Sequence, residues 1–136
     1  MTTLLSRPNL RPVLWAAPLA GVLSALVNGV LFLLTRGSFA GVLVGPQQMP
    51  FTVAPVVVLS FVAALAAGVA YALIARFARR PNRMFTVLAL VLLLVSFASP
   101  FSIPDVPTAV MLVLNLMHVV VFAFVLALVP RRGVKG

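Results

Sequence analysis

Residues 76–85 read Arg76-Phe77-Ala78-Arg79-Arg80-Pro81-Asn82-Arg83-Met84-Phe85, four arginines crowded into a turn between two long uncharged runs. On one side Val53 to Ala75 carries no charge, and on the other Met84 to Ser99 carries none. Apolar runs that meet at a dense basic turn describe a chain that crosses a bilayer, turns at a polar surface and crosses back.

Working outward, four runs are long enough to cross. The first, Val13 to Thr35, lies between Arg11 and Arg36 and would rise about 35 Å as a helix. Arg7 and Arg11 before an apolar stretch also resemble a signal peptide, but an h-region is shorter than this run, so the segment is expected to be retained. The second, 53–75, opens with Pro55 in its first turn, where a missing N–H costs nothing. The third, 84–103, is helical in pattern only to Ser99, about 24 Å against a core of ~30 Å. Its outer end therefore needs Phe101 to Ile103, or local thinning of the bilayer. The fourth, 108–129, is entered through Ile103-Pro104-Asp105-Val106-Pro107 and is expected to end at Pro130. Asp105 is expected to cap it, because a carboxylate accepts bonds from free N–H groups at the positive end of the helix dipole.

Composition agrees. Of 136 residues, 63% are hydrophobic and 8% charged, where soluble domains carry about a quarter charged. Ten basic residues face one acid, Asp105, and there is no cysteine, so the chain cannot by itself build a carboxylate dyad, a thiolate metal site or a disulfide. No phosphate-cradling glycine loop, nucleophile elbow or zinc-protease motif is present. The net charge of +9 does not indicate nucleic acid, since the residues between the charges suit lipid. The expected fold is all-α: one polytopic domain over 1–136 with four transmembrane helices. Arginine in place of lysine, with much Ala, Val and Leu, suggests a GC-rich bacterial genome and hence the bacterial inner membrane.

Nine of the ten cations fall on one side of this arrangement: Arg7, Arg11, the four of the turn, Arg131, Arg132 and Lys135. Only Arg36 falls on the other. By the positive-inside rule both termini and the turn are expected to be cytoplasmic, with Trp15 and Tyr71 near that interface as aromatic anchors. The outer stretch 37–52, GSFAGVLVGPQQMPFT, is too short and too rich in Gly and Pro to cross. It is too hydrophobic for a solvated loop, and is expected in the outer interface, over the bundle mouth, or re-entrant with protein around it.

Span one carries small residues at every fourth position, Ala17, Gly21, Ala25 and Gly29, beside a second stripe of Ala16, Ala20, Ser24 and Asn28. Span two repeats the pattern with Ser60, Ala64, Gly68 and Ala72. Small residues let helices approach closely, so spans one and two are expected to form the tightest pair, with Gly21, Gly29 and Gly68 as packing positions. Span three lacks such a stripe and is expected to face lipid or a larger partner.

The polar residues within the spans share a depth band. Asn28, Ser60 and Asn115 lie about 7, 6 and 5 Å outside their helix centres, and His118 lies near the midplane. Asn115 and His118 are at i and i+3, and Ser24 and Asn28 at i and i+4, so each pair shares a face. Such groups are costly against lipid and are expected to hydrogen-bond across helices, His118 to Asn28 or Ser24. His118 is also the one residue able to ligate a haem or chlorophyll metal, bond a quinone or carry a proton. A haem held by two histidines would need the second from another subunit. Arg76, Arg79, Arg80 and Arg83 set topology, and at helical spacing can also bind anionic lipid headgroups.

The basic turn RFARRPNRMF and the outer segment SPFSIPDVPTAVMLVLNLMHVVV resemble a family of small, uncharacterised four-span bacterial proteins classed as a domain of unknown function. The resemblance implies four spans and carries no activity; it draws attention to Asn115 and His118. The expected role is a structural or accessory subunit of a membrane assembly, without catalytic chemistry or a cofactor, whose partners are the bilayer, other membrane subunits or further copies of itself. The alternatives are a small-solute carrier or pore that uses the polar band, and a cofactor-binding subunit that uses His118.

Overall fold

The computed structural model describes residues 9–133, the side chains of residues 131–133 excepted. Four helices, α1 (Arg11–Thr35), α2 (Val53–Phe77), α3 (Pro81–Ser96) and α4 (Thr108–Gly133), are joined by compact connections. All four are long and apolar enough to span a membrane once the turn Ser99–Ser102 is counted with α3. The first two, of 25 residues each, rise about 37 Å, whereas α3 has 16 residues and rises about 24 Å. A 3-10 turn at Ser99–Ser102, with Pro100 buried, continues α3 towards the connection to α4 and supplies the missing length.

The helices run up and down. One apolar cluster joins Val13 and Ala17 of α1, Tyr71 and Ala75 of α2, Phe85 of α3, and Val125 and Val129 of α4, so it gathers one end of every helix. The other joins Phe32 of α1, Val56 of α2, and Val110 and Met117 of α4 to Phe39 and Val42 of the 37–52 segment. Helix α1 packs against both α2 and α4, and α3 leans on α4 and α2 from outside. This explains why α1 needs two small-residue stripes: all eight of their residues are buried. By contrast α3 buries only Phe85 and Ala89.

Each connection follows from its residues. Between α2 and α3, Ala78 is extended and its N–H still bonds Ile74 O at 2.7 Å; Arg80 is held out of the helical region by the proline after it, and Pro81 opens α3. The segment 37–52 carries a short antiparallel pair, β1 (Leu43–Val44) with β2 (Met49–Pro50), so the fold is not purely helical as the sequence suggests. Gly45, at φ +74°, supplies the left-handed turn of this hairpin. Phe39 stacks on Phe51 at 5.1 Å and tilts on Phe32 at 5.0 Å, which pins the hairpin over the end of the bundle. The loop thus folds over one end of the bundle, as one of the expected placements has it.

Two further expectations are corrected. Asp105 does not sit at the helix start: it is exposed in a left-handed turn at φ 52°, and α4 begins only at Thr108, after Pro107. The two prolines flanking Asp105 impose their own turn and carry the carboxylate away from the cap position. Nor does Pro130 end α4, which continues to Gly133. Proline's φ is helical, so at Pro130 the helix loses one bond, to the Leu126 carbonyl, without losing its course.

Candidate functional site

At the centre of the bundle, α1 approaches so closely that Asn28 reaches two other helices. Its Nδ2 donates to Ser60 Oγ of α2 at 2.9 Å and to the Met117 carbonyl of α4 at 3.1 Å. Asn28 is 1% exposed and Ser60 6%. The Met117 carbonyl has two lone pairs, so it accepts from Asn28 while keeping its place in the helix ladder. Both amide hydrogens of Asn28 are thereby used, whereas its Oδ1 is buried without a partner.

Close approach rests on the glycines. A Cβ on Gly21 would lie 2.7 Å from Phe61 Cδ2 and 3.2 Å from the Phe61 carbonyl oxygen, and one on Gly68 would collide with Ala17 Cβ. At Gly29 the nearest atom would be Val57 Cγ2 at 3.3 Å. All three contacts are between α1 and α2, and the small-residue stripes are spent inside the chain.

The other polar residues are not part of this seam. Ser24 is buried but its hydroxyl donates to Ala20 O of its own helix at 2.6 Å. His118 is half-buried, and its Nδ1 lies 2.8 Å from Leu114 O, again in its own helix, in place of the expected bond to Asn28 or Ser24. A carbonyl only accepts, so in the neutral ring Nδ1 carries the proton and Nε2 keeps its lone pair. Asn115 is half-buried and its Oδ1, like that of Asn28, is buried without a partner.

Sequence reasoning missed two functional groups. The Met117 carbonyl is a backbone atom, invisible to any reading of residue types. Tyr71, expected at the interface, is fully buried: its hydroxyl donates to Asn82 Oδ1 at 2.6 Å and its ring meets Phe85 edge-on at 5.2 Å. It ties α2 to the start of α3 across the basic turn. Trp15 is 81% exposed near the Arg11 end of α1, as an anchor would be. Arg76, Arg79, Arg80 and Arg83 are all exposed at one end of the bundle, with Arg11. Arg7 and Lys135, and the side chains of Arg131 and Arg132, lie outside the described residues. Arg36 is exposed at the opposite end, beside the hairpin.

Over residues 9–135 the sequence matches the model of a family of unknown function (DUF6069). The chain belongs to that family. The resemblance drawn from the basic turn and the proline-rich outer segment is thus correct at the level of an uncharacterised family. No curated protein and no solved structure matches the chain. Family membership brings no reaction or ligand with it, so function has to be argued from the seam, the basic end and the surface of the bundle.

Proposed function

We propose that the chain is a structural or accessory subunit of an assembly in the bacterial inner membrane, with both termini and the basic turn in the cytoplasm and no catalytic chemistry of its own. The observation that carries this reading is how the seam is used. Both amide hydrogens of Asn28 are committed to neighbouring helices, and Ser24 to its own, which is the chemistry of holding a bundle together. The surface of α3 supports it: Leu90, Leu92, Leu94 and Val95 are all roughly half exposed or more on a helix that the chain itself barely covers.

Photo-crosslinkers placed at Leu94 and Val95 in intact membranes test the subunit reading. A discrete protein adduct at α3, absent from a crosslinker at Leu26 of α1, is the expected result. A monomer that crosslinks only to lipid at every position overturns it. Cysteine labelling tests the orientation: residues 76–83 should react from the cytoplasmic side and positions beside Arg36 and Asp105 from the opposite side.

A second reading, a small-solute carrier or pore, draws on the unpartnered Oδ1 atoms of Asn28 and Asn115, which are open acceptors for a solute that donates hydrogen bonds. Solute flux into proteoliposomes of the purified protein would favour it. A cofactor held by His118 Nε2 would instead give a visible absorption band on purification.

A further inference from the structure

Arg80, which precedes α3, and Arg83, Met84, Val87, Leu88 and Val91 of α3 line a shallow, open trough along one exposed stripe of the helix. These positions repeat at helical spacing, so the trough runs along the helix axis with two cations at one end and only apolar side chains beyond them. Arg83 to Val91 covers about 12 Å, close to the ~15 Å depth of one leaflet's hydrocarbon. We propose that this trough holds an anionic phospholipid, its phosphate against Arg80 and Arg83 and one acyl chain along Met84, Val87, Leu88 and Val91.

Charge complementarity selects the occupant. Arg76 and Arg79 are exposed at the same end of the bundle, whereas Asp105, the only acidic side chain of the sequence, lies in the connection at the opposite end. Among the described residues no acidic side chain lies at the arginine end, so an anionic group from outside the bundle can pair with them. A nucleic acid would supply it but has no use for an apolar trough, and a free phosphate would leave the trough unfilled. A phospholipid matches both halves, with the charge at the membrane surface and the chain at leaflet depth. The inference requires only that α3 spans the bilayer, and it stands or falls separately from the subunit reading.

The test uses the full chain reconstituted with equal phosphatidylglycerol and phosphatidylcholine, extracted in mild detergent and weighed intact by native mass spectrometry. The wild type should retain phosphatidylglycerol selectively. The double variant R80Q/R83Q should lower that retention by about 30-fold if each cation contributes its usual share at a charged leaflet, while R36Q, at the other end, leaves it unchanged. V87W keeps both arginines but fills the trough, and should also lose the lipid. Val87 is 56% exposed, so the helix tolerates the change, and an unaltered circular dichroism melt verifies this. Retention by R80Q/R83Q equal to wild type overturns the proposal. So does displacement of the lipid by glycerol phosphate at equal concentration, which would mean a headgroup site only, or a crosslinker at Leu88 that captures a protein in place of a lipid.

Discussion

Asn28 Nδ2 and Ser60 Oγ lie 2.9 Å apart, joining α1 to α2 beside the glycine-lined contact of the two helices. The same nitrogen also reaches the Met117 carbonyl, so one side chain fastens three helices. Asn28→Leu removes both bonds and should lower unfolding free energy in detergent or bicelles by about 1–2 kcal/mol, in line with the upper range of membrane hydrogen bonds. Ser60→Ala removes one bond and should cost about 0.6 kcal/mol. Measured together, the two should be less than additive, because Ser60 has lost its partner once Asn28 is gone.

The glycines should rank by the space around them. Gly68→Ala drives a methyl into Ala17 Cβ and should destabilise the α1–α2 pair by about 1–3 kcal/mol, if the cost of overpacking a soluble core transfers. Gly21→Ala meets the Phe61 ring, part of which can turn away, and should cost less. Gly29→Ala, at 3.3 Å from a valine methyl, should cost least of the three, and Gly37→Ala, with open space around it, should be neutral. Thermal melts of the four variants in one detergent give the order; a uniform response would argue against helix contact as the cause.

Tyr71→Phe keeps the ring against Phe85 and deletes the bond to Asn82. A loss of about 0.5–1.5 kcal/mol is expected, with faster proteolysis at the basic turn. Tyr71→Ala removes the ring as well and should cost about 3–5 kcal/mol. If Tyr71→Phe behaves like wild type, the hydroxyl does not hold the turn.

His118→Gln separates two roles for the imidazole. Its Nδ1 bonds a carbonyl of its own helix, so the substitution should cost less than about 0.6 kcal/mol in an unfolding titration. A much larger loss, or the disappearance of an absorption band, would mean that Nε2 has a partner in the membrane.

The span positions were legible because arginines and prolines punctuate otherwise continuous apolar runs, and the α1–α2 contact because glycine and alanine recur at every fourth residue. Which apolar residues face inward was not legible. In lipid a valine is equally at home inside or outside, so hydrophobic period says nothing about burial, and Tyr71 could be read only as an interface residue. The polar seam was half legible: Asn28 and Ser60 share a depth, but the third member is a backbone carbonyl, and Ser24 and His118 satisfy themselves within their own helices, an option open to any such side chain on a helix. The hairpin escaped notice because two residues per strand leave no alternating pattern to read.

The two partners of Asn28 are 32 and 89 residues away along the chain. During synthesis they arrive in turn. A newly inserted α1 carries its amide with no partner, α2 brings Ser60 as soon as the first hairpin closes, and the Met117 carbonyl comes only when α4, the last helix, enters. One bond of this amide therefore needs only the first two helices, whereas the other cannot exist before α4 is in place.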